Sequence, residues 1–431
     1  MIARGTCSSS FLPGGNIWFL LLFCLFGYST LNRGFAYLGY YPFFVGELAL
    51  LFYLLLLNHR VTLFRFLGTT AGKIWAIFFI YCLIIFAFSA LSDLNESIRD
   101  SVFWVYSIFF YIGYSYGNHL IQRHEIDRFH NVLLFLAKAT VIYFALFPFR
   151  EELRNLTMFL HGGTTALVGY YSTLHALSLG FVFFFLFYRR TYLHILWVVA
   201  GLVLVVAISQ ARASMLALGI IILYLILVHR RAAELRALAK ILGIITLAAF
   251  IFSVLDISIG GQRSDVSAEF FQKAILSIFI DSNDDSLQGT REHRLEMWTD
   301  VIERTVSTLY SLLFGMGLDT ILVDSGTGVD TILRYPHNSF ISVFGFTGAI
   351  GIGLYVILVG HLLWVIIKSS HLTNSIPLLK WYPVFAIGYF VAAFFSTVFE
   401  APFHSFVFWV ITGVVYRAAI QNRLCREEAL I

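Results

Sequence analysis

Apolar runs close to twenty residues long recur from one end of this chain to the other, and no other feature constrains its fold as much. They fall at about 15–31, 36–57, 72–91, 101–119, 129–149, 166–188, 192–208, 212–228, 238–255, 337–367, 380–399 and 402–420. Coiled as an α-helix, a run of this length matches the hydrocarbon core of a bilayer. Backbone amides in that core must bond within the protein, which leaves helices or closed barrels. The runs are continuous rather than alternating, which argues against a barrel. The 431 residues are 59% hydrophobic and 13% charged, about half the charge of an average soluble domain. The sequence therefore predicts an all-α polytopic membrane protein with about twelve transmembrane helices. Windows 36–57 and 337–367 exceed the length of a single crossing, which predicts tilt, or a re-entrant beginning for the second.

Charge placement predicts the orientation. With the N-terminus in the cytoplasm, the inner connectors carry Arg60, Arg65, Lys73, Arg123, Arg128, Arg189, Arg190, Arg230, Arg231, Arg236 and Lys240, and the C-terminal tail adds Arg417, Arg423 and Arg426. The opposite connectors carry Asp93, Glu96, Arg99 and Asp100, then Arg150, Glu151, Glu152 and Arg154, a balance no longer basic. Both termini are expected inside. The apolar run that follows Arg4 is read as the first helix, since no small-residue cleavage site follows it.

One polar stretch interrupts the pattern. Three regions result: helices one to nine over 1–255, a large loop over 256–336, and helices ten to twelve with a tail over 337–431. The loop holds six Lys or Arg against thirteen Asp or Glu, which suits the outer face. Within it, Ser267–Ile280 reads as an amphipathic helix on the membrane and Asp281–Ser286 as a turn. Thr290–Leu309 reads as a helix with Leu295, Trp298, Val301 and Ile302 on one face, ended by Gly315-Met316-Gly317.

Several residues stand out on the outer side. Arg212, flanked by Ser209 and Ser214, is either a snorkelling interfacial arginine or an anion site. Arg291 and Arg294 either decorate a surface helix or supply the two guanidinium groups a diphosphate needs; Arg150 and Arg154 are further candidates. His337, after Pro336 and before Asn338, either caps the next helix or serves as a general base at a partly desolvated site. Glu400, before the last apolar run, is either structural or the partner of an arginine. His161, His175 and His404 fall on the same side; His175, early in the sixth apolar run, either lines a cavity or, in the favoured reading, packs or hydrogen-bonds. The acids at 281–285 match no calcium loop. Four cysteines at 7, 24, 82 and 425 form no metal or disulfide pattern. There is no P-loop, G-x-S-x-G or H-E-x-x-H motif and nothing that binds a nucleotide, which disfavours an ATPase or a nucleotide-sugar enzyme.

In order and spacing these features resemble the O-antigen ligase and polysaccharide polymerase superfamily of bacterial integral-membrane glycosyltransferases. The resemblance is carried by Arg212 in a Ser-rich turn, Arg294-x-x-x-Trp298, Gly315-x-Gly317, His337-Asn338 with a Gly-rich helix behind it, and Glu400. It covers most of the chain as architecture and Arg212 to about Trp409 as motif. Ala211 stands where the family usually has serine. The resemblance implies a C-type glycosyltransferase fold with a periplasmic loop, in the bacterial inner membrane, using neither metal nor cofactor. It implies a donor glycan on undecaprenyl diphosphate held by Arg212, Arg291 and Arg294, with His337 acting on the acceptor hydroxyl and Trp298, Asn338 and Glu400 in support. The acceptor is another lipid-linked repeat in a polymerase or lipid A-core in a ligase. The phrase Asp284–Thr290 resembles exopolysaccharide polymerases and favours the former. Membrane lipid, a chain-length regulator or a flippase are the expected partners, and nucleic acid is not. The rival from another class is a transporter of lipid-linked sugars, which would place its polar groups at mid-membrane.

Overall fold

The computed structural model describes residues 14–40, 43–56, 59–158, 166–169, 175–188, 191–209, 212–228, 236, 239–241, 243–244, 246–247, 259–260, 265–266, 285–323, 334–372 and 376–429. Its principal helices are α1 (Gly14–Phe26), α2 (Val45–Leu56), α3 (Thr70–Ser89), α4 (Leu94–Asp100), α5 (Ile108–Gln122), α6 (Ile126–Ala145), α7 (His175–Tyr188), α8 (Tyr192–Ser209) and α9 (Arg212–Val228). They continue with α10 (Asp285–Val306), α11 (Leu309–Phe314), α12 (Ser339–Leu372), α13 (Pro377–Phe395) and α14 (Pro402–Ala429). Strand is confined, among the described residues, to two hairpins of two-residue strands. The architecture is an all-α, membrane-like bundle.

Among the described residues, four helices are long and apolar enough to cross a bilayer: Thr70–Ser89, Ser339–Ser370, Pro377–Phe395 and Pro402–Leu424. A fifth arises if Ile126–Ala145 and Phe147–Leu156, bent by 57° at their junction, are one span. Five more apolar helices of 10–17 residues lie at Ile17–Leu31, Val45–Leu55, Ser178–Tyr188, Tyr192–Val205 and Ala213–Val228. The long window at 36–57 has a simpler cause than tilt. Gly39–Tyr40 pairs with Phe43–Phe44 in a tight hairpin, so the helix begins only at Val45.

Small residues set the helix crossings, as bilayer packing requires. A Cβ on Gly113 would stand 2.2 Å from the Val410 carbonyl oxygen, and one on Gly413 2.3 Å from that of Phe110. The backbones of α5 and α14 therefore touch, and α14 is almost wholly enclosed. Gly180 of α7 accepts a 2.6 Å hydrogen bond from the Trp381 indole of α13, while the outer face of α3 leaves Ile77, Ile80, Leu83, Ile84 and Phe88 exposed.

The second long window, 337–367, is not one smooth helix. Gly348 breaks α12 with φ 64° and ψ −167°. The break frees the carbonyls behind it. Met316 N–H bonds to Gly345 O at 2.8 Å and Gly317 N–H to Phe346 O at 3.3 Å. The Tyr81 hydroxyl donates to Thr347 O at 2.7 Å. The Gly-x-Gly loop after α11 thus fills the broken turn, with Gly315 at φ 82° and Gly317 at φ 93°.

The polar loop differs in detail from its sequence reading. Helix α10 begins at Asp285, so Asp285 and Ser286 belong to it rather than to a turn, and it ends at Val306. Thr308 then opens α11 with a capping box to Ser311. Residues Met297, Val301 and Thr305 form the buried face with half-buried Trp298, whereas Leu295 and Ile302 are 47% and 41% exposed. The inward stripe is therefore 294-297-298-301-305, rotated from the one expected, because Trp298 and Val301 are drawn to α12 and α13. Ser267–Ile280 and Asp281–Asp284 lie outside the described residues.

Gly348→Ala should lower the apparent melting temperature in detergent, since a Cβ there would meet Gly315 N and Leu313 O at 2.5 Å in a conformation that itself costs roughly 1–3 kcal/mol. Gly353→Ala, a helical position with nothing within 4 Å of the added carbon, should leave the melting temperature unchanged or raise it slightly.

Candidate functional site

The end of the polar loop folds back onto α10. Trp298 donates its indole N–H to Pro336 O at 2.7 Å, and its ring packs edge-on against Phe394 at the end of α13, with centroids 5.5 Å apart. One aromatic side chain thereby ties the polar helix, the loop exit and a membrane helix together. Arg294 precedes Trp298 by one helical turn and is half-buried.

His337 follows the anchored Pro336 with φ 51°, a left-handed conformation that costs a non-glycine residue about 1–3 kcal/mol and clusters where function fixes geometry. Burial pushes its imidazole below the ordinary histidine value of 6.5, and the Arg294 charge, with a smaller contribution from His293, pushes it further the same way. The Arg294 charge therefore acts directly on His337. At neutral pH the ring is neutral and able to accept a proton.

Asn338 starts α12. Its Oδ1 accepts from Phe340 N–H at 3.0 Å and Ile341 N–H at 3.2 Å, satisfying two of the orphan amides of a helix N-terminus. The capping role considered for this position in the sequence thus falls to Asn338 and leaves the His337 ring free of it. Ser339 is the hub behind the cap. Its hydroxyl donates to Glu400 Oε2 and accepts from Val398 N–H at 2.8 Å and Phe399 N–H at 3.1 Å. Glu400 is buried, and burial raises its carboxyl while the hydroxyls of Ser339 and Ser342 pull it back down. Serine hydroxyls are thus its hydrogen-bond partners, and Glu400 braces the start of α12 against the 396–400 turn.

The predicted site residues thus divide in two. Arg294, Trp298, His337, Asn338 and Glu400 come together around the junction of α10, α12 and the turn before α14. Arg212 opens α9, which packs along α13, and Arg291 lies on α10; the side chains of both fall outside the described residues. Arg150 pairs with Glu151 at 3.3 Å and lies over Phe147, 4.5 Å from the ring centre. Among the described residues no cluster of His, Cys, Asp or Glu is arranged to hold a metal.

Sequence reasoning passed over Arg334, Tyr335, Asp100 and Glu96. Arg334 is buried against Asp100 and Glu96. Burial opposes its charge, but the hydrogen bonds and charges of the two acids outweigh that and raise its pKa further. Glu96 and Asp100 carried weight only as markers of membrane side. Their i,i+4 spacing, and an arginine three residues before the histidine in an acidic loop, were the available signals; pairing across 234 positions leaves no local trace.

Residues 197–356 match the family model described as O-antigen ligase. The match includes Arg212, Arg291, Arg294, Trp298, His337 and Asn338, and ends before Glu400. No curated protein matches the chain.

Carbethoxylation of His337, followed by peptide mass spectrometry against pH, should have its midpoint below 6.5. Only neutral imidazole reacts, and a lowered pKa keeps it neutral to lower pH. Arg294→Gln removes a repelling charge, so the midpoint should move up. By the same sign, folding stability attributable to His337 is intact above about 6.5 and declines as pH falls below it.

Proposed function

We propose that this chain, whose residues 197–356 match the O-antigen ligase family model, is a membrane glycosyltransferase that polymerises glycan repeats from a polyprenyl-diphosphate donor. The observation that carries the reading is the Trp298–Pro336 contact, which sets the arginine-bearing turn of α10 beside His337 within the matched segment.

In the proposed reaction the donor's diphosphate lies against Arg294, with Arg291 and Arg212 completing its charge balance. Two or more guanidinium groups suit a group whose charge one cannot match. An acceptor hydroxyl attacks the anomeric carbon. A C–O bond forms there as the bond from that carbon to the phosphate oxygen breaks. His337 accepts the hydroxyl proton, a role suited to a buried imidazole kept neutral at pH 7. The arginines stabilise the charge that builds on the departing diphosphate. The imidazolium that results sits beside Arg294, which favours prompt loss of its proton and resets the site.

The accompanying membrane reading has about twelve spans, both termini in the cytoplasm, and the 256–336 loop with its site at the periplasmic face of the bacterial inner membrane. The donor carrier is then undecaprenyl diphosphate in the outer leaflet, and the reaction needs no metal. A ligase that joins glycan to lipid A-core fits the family match equally. The sequence around Asp284–Thr290 favours the polymerase. Grouping of the polar residues at helix ends rather than at mid-span speaks against a transporter.

Purified protein in detergent, given lipid-linked repeats with a chelator and no nucleotide sugar, should lengthen them. His337→Ala and Arg294→Ala should each reduce the rate by about a hundredfold or more, in line with loss of a general base or an electrostatic stabiliser. Transfer to lipid A-core without lengthening would select the ligase. Inactivity with every acceptor, in a protein that moves lipid-linked sugar across vesicles, would select the transporter.

A further inference from the structure

The residues just before His337 are held more firmly than a loop exit needs. The Arg334 guanidinium meets Asp100 twice, Nε to Oδ1 at 3.1 Å and Nη2 to Oδ2 at 2.7 Å. Nη2 also lies against Glu96. The Tyr335 hydroxyl donates to Asp100 Oδ1 at 2.7 Å. One buried carboxylate therefore receives three hydrogen bonds from two consecutive residues.

Both acids sit on α4, the short helix that follows α3. Asp93 caps that helix by accepting from Glu96 N–H at 3.0 Å, and the i,i+4 spacing puts Glu96 and Asp100 on one face. Burying a charged pair gains little net stability, because desolvation offsets most of the attraction; fixing one geometry is the better-attested use. The bidentate fork supplies geometry that a lysine could not. The segment so fixed is 334–335. Trp298 fixes Pro336 from the other side, and Asn338 is fixed as the cap of α12. Only His337 lies between these anchors, and its backbone is the strained one.

We propose that Arg334, Asp100 and Tyr335 are positioning residues for His337: their buried clamp holds the loop exit and with it the left-handed backbone of the histidine. Arg334 is thereby committed to Asp100 and Glu96, and the diphosphate falls to the arginines of α10 and α9. The groups whose electrostatics reach His337 are Arg294 and His293 from α10; Tyr335 turns to Asp100, and Glu400 acts on it as well. The consequence for turnover rests on the proposed function. The clamp itself concerns where His337 sits.

The test compares Arg334→Lys, Asp100→Asn, Tyr335→Phe and the reversed pair Arg334→Asp with Asp100→Arg. Two readouts are taken: the pH dependence of His337 carbethoxylation, and kcat and KM with a lipid-linked donor. Each single variant should make His337 react faster and move its midpoint up towards 6.5. Turnover should fall about tenfold to a hundredfold, the usual cost of misplacing a reacting group by an ångström, with KM little changed. The reversed pair should recover part of both. If the charge variants do not fold, Tyr335→Phe, which loses one hydroxyl, carries the same test at smaller amplitude. Folded variants with unchanged His337 reactivity would overturn the clamp, as would a loosened His337 with undiminished kcat. Should the wild-type protein transfer no glycan, the function reading fails while the modification arm still decides the clamp.

Discussion

A helix cannot break inside an apolar surround unless something else bonds the carbonyls it abandons. At Gly348 the replacement is specific: Met316 and Gly317 amides and the Tyr81 hydroxyl take over Gly345, Phe346 and Thr347. The rest of the site hangs on this exchange. It seats the Gly-x-Gly loop in the turn of α12, which seats α11 and, through it, the C-terminal end of α10. Arg304 adds a second tether there, donating to Leu322 O at 2.9 Å. The two glycines and Gly348 are needed for close approach and positive φ together, since a Cβ on any of them would meet backbone or a neighbouring side chain within 3 Å.

With α10 placed, Trp298 reaches both Pro336 and Phe394, and the loop exit has one path into α12. The first residues of that path divide the labour. Arg334 and Tyr335 spend their polar groups on Asp100, Asn338 caps the helix, and Ser339 ties it to Glu400. His337 is left between these anchors, where burial and the Arg294 charge hold its pKa below the ordinary value.

Much of this was legible in the chain. Apolar windows locate the helices because bilayer thickness fixes their length, whereas the excess length of 337–367, read as tilt or a re-entrant beginning, coincides with the break at Gly348. Arg294-x-x-x-Trp298 and Pro336-His337-Asn338 stand out because helical spacing and proline geometry are local. Other features were not legible, for physical reasons. The window at 36–57 hides a hairpin because Tyr40, Phe43 and Phe44 are as apolar as a helix would be. Leu295 and Ile302 look inward by type, but the partners of α10 lie on the Met297–Val301 side. The Arg334–Asp100 pair joins residues 234 positions apart, and neither flanking sequence implies the other. Glu400 admitted a structural role or an arginine partner, and its bond to Ser339, 61 positions away, left no local trace.

The central claim is that α10 and the loop exit form a site for a polyprenyl diphosphate. Calorimetric titration of undecaprenyl diphosphate into the detergent-solubilised protein tests it most directly. Wild-type protein should bind, Arg294→Ala should bind at least about tenfold more weakly, equivalent to roughly 1.4 kcal/mol, and Arg128→Ala, an exposed arginine paired with Glu125, should bind like wild type. Equal affinity in the wild-type and Arg294→Ala proteins would contradict it.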